Sequence, residues 1–168
     1  MQFNLYRQSD VLAIKRAFDG RVVGLTSGSF DLYHHMHRLY LVRCRRLCEV
    51  LIVGVDSDDL IKKTKGENRP IIPEHQRLFV VEGDSAVDAA FILGNAEDFG
   101  LATELLGVKR IFKNQEFAKI EVYGAEKAEL VIIPDVGLSA DSTTSIIDKV
   151  LANDPSFQRR QAQRSHPK

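Results

Sequence analysis

Three histidines, His34, His35 and His37, fall within four consecutive positions just behind the run Ser27-Gly28-Ser29. Imidazole exchanges a proton near neutral pH, donates to phosphate oxygens and ligates metals. The apolar run Val22–Thr26 ahead of them reads as a buried strand. Gly28 lets the backbone turn sharply and come close to a ligand. Behind it, Leu39, Tyr40, Val42, Arg46 and Leu47 are spaced as a helix with one buried and one wet face. A strand, a tight glycine turn and a helix start make the place where α/β proteins hold phosphate, because free N–H groups and the positive helix end point outward there. His34 and His37, three apart, project on one side of the first turn. As zinc ligands they would need a third and fourth partner. His37, Cys44 and Cys48 share a helix face, but the helical rise puts His37 about 10 Å from Cys44, too far for one metal. Histidines as plain surface polar groups are the bland alternative. The spacing behind a glycine turn favours phosphate contact, and no protein-held metal is expected.

The elements that must position these residues alternate along the chain. A helix is expected over residues 8–19, then the strand before the histidines and a helix from about His35 to Leu47. The near-continuous apolar run Val50–Val55 is the mark of a strand covered on both faces, and Asp56-Ser-Asp-Asp59 can cap a helix after it. Lys62 to Pro73, polar, basic and proline-containing, reads as a surface loop whose cations lack partners until an anion arrives. A helix begins at Pro73, a strand covers Ala89–Leu93, and a helix over Asp98–Leu106 is ended by Gly107. Strands at Arg110–Lys113 and Leu130–Ile133 flank an expected helix at Ile120–Ala128, and Thr144–Leu151 is the last helix. This alternation predicts one Rossmann-like α/β domain over residues 1–157, with a parallel sheet of about five strands and helices on both faces. The basic stretch 158–168 lacks periodicity and reads as a disordered tail.

The chain has 168 residues, with 23 Lys and Arg against 23 Asp and Glu. Such a balance gives no global field for nucleic acid or an anionic membrane, so phosphate affinity must come from local clustering. No apolar run approaches the length of a bilayer span, and the polar start MQFNLYRQSD is unlike a signal peptide. Cys44 and Cys48, four apart on one helix, read as reduced thiols rather than a disulfide framework. A cytoplasmic protein is expected.

The run from Gly28 to His37, GSFDLYHHMH, resembles the G-x-F-D-x-x-H-x-G-H motif of the nucleotidyltransferase superfamily that includes cytidylyltransferases and small-molecule adenylyltransferases. The likeness continues through Val53–Asp58, Lys65-Gly-Glu-Asn-Arg-Pro70, Pro73 and Arg77, which resembles the adenylyltransferase domain of the bifunctional heptose-phosphate enzymes. Ser142-Thr143-Thr144 is similar to that family's S-T-T helix start. The blocks span roughly residues 20 to 152.

The resemblance implies transfer of a nucleoside monophosphate, with AMP favoured, from a nucleoside triphosphate to a phosphorylated small molecule such as a sugar 1-phosphate, releasing pyrophosphate. It implies that His34, His37 and Lys65 are catalytic, and that Gly28, Ser29, Phe30, Lys113, Ser142, Thr143 and Thr144 bind the nucleotide. Lys63, Arg69 and Arg77 would meet phosphate or the acceptor, though either arginine could instead tie the loop down. Asp31 reads as a structural turn residue, since a phosphate nucleophile is already ionised and needs no base. Mg2+ would arrive with the triphosphate, and the family suggests a homodimer.

The chain departs from the pattern in three places. Met36 replaces the motif glycine, Phe112–Phe117 (FKNQEF) keeps only the lysine of V-K-G-G-D-Y, and Asp135–Asp141 lacks the arginine block of the cytidylyltransferase branch. Two alternatives stay open: a CTP-dependent enzyme acting on a polyol or amino-alcohol phosphate, and a catalytically silent nucleotide-binding protein.

Overall fold

Five short apolar runs become one parallel sheet: β1 (Val23–Gly28), β2 (Val50–Asp56), β3 (Ala89–Leu93), β4 (Arg110–Asn114) and β5 (Glu129–Ile133). Their spatial order is β3-β2-β1-β4-β5, every pairing parallel. The computed structural model describes residues 1–134 and 143–156. The chain falls into two compact units, Met1–Asp135, which carries the sheet, and Val136–Lys168.

The pleat explains why β2 is apolar throughout. Val50 and Ile52 pack with Val11 and Ile14 of α1 (Gln8–Ala17) and with Phe99 and Ala102 of α5 (Ala96–Leu105). Leu51, Val53 and Val55 point the other way, to Leu41 and Cys44 of α2 (His35–Arg45) and to Leu78 and Val81 of α4 (Glu74–Glu82). Successive side chains of a strand face opposite sides, so both faces are covered and the expected Rossmann-like arrangement stands. Gly24 leaves room for the side chains of Phe112 and Cys48. A Cβ there would lie 2.4 Å from the Phe112 ring and 2.8 Å from Cys48 Sγ.

Three features differ from the sequence expectation. First, residues 62–65 are not loop. α3 (Asp58–Lys65) has Ser57 as its cap, accepting from the Leu60 N–H, with Asp58 and Asp59 in the first turn and Lys62, Lys63 and Lys65 in the last. Those charges suit both ends of the helix dipole. The loop is therefore only the strap 66–73, starting at Gly66, whose φ is +94°. Second, residues 120–128 form turns. A 3-10 helix, Gln115–Lys119, stands ahead of them, and Gly124 at φ +86° rests on Thr103, where a Cβ would come within 2.7 Å of Oγ1. Third, the N-terminal arm covers the edge of β3: Gln2 bridges Ala90, and the Phe3 ring lies 5.1 Å from that of Phe91. No helix among the described residues is long and apolar enough to cross a membrane.

In the second unit, α6 (Thr143–Ala152) opens with Thr143 and Thr144. Ser142, the Asp135–Asp141 segment and the tail 158–168 lie outside the described residues.

Candidate active site

β1 ends at Gly28, and the chain then turns into α2 at the C-terminal end of the sheet. The turn is not made at the glycine. The backbone swings through positive φ at Phe30 (47°) and Leu32 (48°) instead. Left-handed geometry costs a side-chain-bearing residue roughly 1–2 kcal/mol, and burial at the loop's centre supplies the compensation. Phe30 is 3% exposed and Asp31 fully buried. Phe30 thus supports the site from below, its ring 5.4 Å from that of His37.

Asp31 holds the strap. Its carboxylate accepts from the N–H groups of Ile71 (3.0 Å) and Ile72 (3.0 Å) and from Arg69 Nε (3.0 Å), with Arg69 Nη2 at 2.8 Å. Burial alone would raise this carboxyl. The Ile71 and Ile72 amides and the Arg69 guanidinium overcome that and hold it below its ordinary value of 3.8. Arg77, 1% exposed, donates from Nε to the Ile72 carbonyl (2.8 Å), from Nη1 to the Ser29 carbonyl and from Nη2 to Asp58 (2.8 Å). Of the two roles open to Arg69 and Arg77, the observed partners are those of ties between strap, α4 and motif loop. Arg69, the one cation of the strap, therefore does have a protein partner, contrary to the sequence expectation.

His34 and His37 build the start of α2 reciprocally. His34 Nδ1 accepts from the Met36 N–H, and His37 Nδ1 accepts from the His34 N–H, each at 3.3 Å. Their ring centroids are 4.0 Å apart. A neutral imidazole that accepts at Nδ1 carries its proton at Nε2, so the His37 ring offers an Nε2–H donor, whereas the Nε2 of His34 is buried. Burial, then the charges of His34 and Lys65, push His37 down to about 3, with Asp31 opposing. His37 is therefore a neutral hydrogen-bond donor at any ordinary pH. His35 is exposed on the other side of the turn.

Two ammonium groups join them. Lys65 Nζ, from the end of α3, donates to Ser29 Oγ (3.0 Å). Lys113, 8% exposed on β4, donates to Ser27 Oγ (2.8 Å) under the rings of Phe99 (4.2 Å) and Phe117 (4.9 Å). Burial pushes Lys113 down to about 8, against the pull of Asp56. Ser27, Ser29, Lys65, Lys113, His34 and His37 are thus gathered around the end of β1. Lys63 is exposed and two residues from Lys65, hence on a different face of α3.

Sequence reasoning missed three participants: Ser27, which receives Lys113; Asp31 as the anchor of the strap; and Asp84, treated below. Their partners lie 86, 40 and 51 residues away, respectively, and no local pattern signals such pairs.

A sequence model of the family described as cytidylyltransferase-like matches residues 25–97. Among curated relatives, bifunctional protein HldE of Helicobacter pylori strain J99 is 33% identical over 125 residues, covering 74% of this chain and 27% of the relative. Bifunctional protein HldE of Rhodopseudomonas palustris strain BisB5 is 36% identical over 140 residues, covering 78% and 27%. The chain spans about a quarter of the length of these relatives. The lipopolysaccharide core biosynthesis protein from Thermoplasma volcanium GSS1 superposes with a TM-score of 0.57 at 20% identity, over 70% of this chain and 98% of the other. That likeness shows the fold.

Proposed function

Residues 25–97 of this chain belong to the cytidylyltransferase-like family, and from that premise we propose that the protein is a nucleotidyltransferase moving AMP from ATP onto a phosphorylated small molecule. The observation that carries the reading is the donor cluster at the end of β1, where His34 and His37 start α2 beside the ammonium groups that Lys65 and Lys113 bring to Ser29 and Ser27. An acceptor phosphate oxygen attacks the α-phosphorus, a P–O bond forms, the α–β bridge breaks and pyrophosphate leaves with the electron pair. No proton need move, so catalysis rests on bringing two anions together and stabilising added charge.

In this reading His34 and His37 donate to the triphosphate and to the charge that grows on it. Lys65 releases Ser29 to neutralise the leaving phosphates, and Lys113 meets the nucleotide from β4. Gly28 and Ser29 contribute backbone groups, while Arg69 and Arg77 act by holding the strap. Lys63 stands ready at the surface for an incoming acceptor, and Ser142, Thr143 and Thr144 are assigned to the nucleotide on the family resemblance. Mg2+ travels with the triphosphate. A homodimer is the expected assembly and the cytoplasm the expected site, where Cys44 and Cys48 stay thiols.

The acceptor favoured is a sugar 1-phosphate such as a heptose phosphate, because Lys65–Arg77 follows the heptose-type pattern. A pyrophosphate-release screen tests the whole reading: four nucleoside triphosphates against phosphorylated sugars, polyols and cofactor precursors. Release with ATP and a sugar 1-phosphate is expected. Release with CTP alone would move the protein to the cytidylyltransferase reading, and nucleotide binding without release to the silent-binder one.

Lys113 adds a pH dependence. Its charge is lost as pH passes about 8, so ATP affinity is expected to weaken about tenfold between pH 8 and 9.5, one proton being coupled to binding. Isothermal titration should show the fall in the wild type and its displacement to higher pH in Lys113→Arg. The folded chain also holds this proton less tightly than the unfolded chain. Its contribution therefore makes stability rise as pH climbs from about 8 towards 10.5.

A further inference from the structure

Asp84 lies two residues beyond α4, outside every motif above. Its side chain is 4% exposed, and it collects three donors: the Tyr33 hydroxyl on Oδ2 (2.6 Å), and Arg38 Nη1 (2.7 Å) and the Ala86 N–H (2.8 Å) on Oδ1. Arg38 is steadied in turn by Ser85 Oγ (3.2 Å). Burial would raise this carboxyl, and the three donors hold it below its ordinary range. An ionised acceptor makes the Tyr33 bond a strong one.

The tethered Tyr33 ring lies on the His37 imidazole, centroids 5.4 Å apart and planes 26° from parallel. His37 is thereby confined between Tyr33, Phe30 and His34. That confinement matters because the cap bond to His37 Nδ1, at 3.3 Å, is at the long end of the range and holds the ring only loosely. A half-turn about Cβ–Cγ would replace Nδ1 by a carbon and carry Nε2 to the other side. The ring must stand on edge during that rotation, and a stacked neighbour leaves it no room.

We propose that Asp84 is a positioning residue of the active site, which acts by tethering Tyr33 so that the Tyr33 ring locks His37 with Nδ1 on the helix cap and Nε2–H free for phosphate. The proposal rests on the role given to His37 above. A plain turn-closing role for Asp84, through the Ala86 N–H, would leave His37 untouched, and that difference decides the test.

Tyr33→Phe keeps the ring and removes the tether. It is expected to lower kcat about tenfold, the scale of a displaced catalytic group, with KM for the triphosphate changed less than about twofold. Asp84→Asn, which keeps an acceptor oxygen, should restore most of the rate lost in Asp84→Ala. In a His37→Ala background Tyr33→Phe should cost nothing further, because the two act through one group. The same factor lost in both backgrounds would overturn the proposal.

A second measurement needs neither turnover nor the buried Asp84 variants. Nitrogen-15 NMR of the ring should show a single Nε2–H tautomer for His37 in the wild type and a mixture in Tyr33→Phe. An unchanged tautomer overturns the tether even where pyrophosphate release is intact. A shifted one upholds it even if no nucleotide pair is turned over, in which case the nucleotidyltransferase reading fails by itself.

Discussion

His37→Ala is expected to lower turnover roughly a hundredfold or more with the fold intact, because one preorganised donor to growing phosphate charge is worth about that much. His34→Ala should do the same and also lose the cap on the Met36 N–H, a cost of about 1 kcal/mol in helix stability. His35→Ala should change little, since His35 is exposed on the far side of the turn. Burial holds His37 neutral down to about 3, so His37 should put no acid limb on the rate profile between pH 5 and 8. The same shift has a consequence for folding. The unfolded imidazole takes a proton below about 6.5 and the folded one does not, so the contribution of His37 is complete above that pH and is lost as pH falls towards 3. Steady-state rates on the three alanine variants, beside their melting curves, decide the assignment. Equal and mild losses for all three would remove the histidines from the chemistry.

What the sequence made legible was whatever depends on periodicity or on neighbours along the chain. Val50–Val55 had to be covered on both faces because it is apolar without alternation, and the two core layers meet there. The spacing of His34 and His37 implied a shared side of one helical turn, and the rings do touch. What was hidden depends on distant partners. Nothing near Lys113 says that it crosses to Ser27, 86 residues earlier. Nothing near Asp31 says that its lone pairs are filled by Ile71 and Ile72. Glycine at position 28 suggested the turn, yet positive φ appears at Phe30 and Leu32. There tertiary burial of Phe30 and Asp31 outweighs the local preference that pattern reading relies on. The basic run Lys62–Lys65 looked like loop by composition, although its lysines close a helix whose first turn carries Asp58 and Asp59.

Asp31→Ala is expected to cost about 3 kcal/mol of stability, the scale of breaking a buried ion pair while leaving its partners unsatisfied. Three groups lose their acceptor at once: Arg69 and the amides of Ile71 and Ile72. Asp31→Asn keeps one carbonyl oxygen and the shape of the site, so it should cost less than half as much. The strap 66–73 follows directly on Lys65, so its release should free Lys65 from Ser29 and lower turnover as well. Denaturant titration reads the first effect, and trypsin cleavage after Lys65 reads the second. Lys65→Ala separates them, because an exposed ammonium contributes little to stability while its loss should still cut turnover. Acid gives an independent handle. The Asp31 carboxyl is held below 3.8 in the folded chain, so its contribution is complete above that value and disappears below it. If Asp31→Asn matches the wild type in denaturant and resists trypsin equally, the strap is held by something else. If it instead keeps its stability and loses the alkaline plateau of the rate, Asp31 is a base after all, since an amide can close a turn but cannot take a proton.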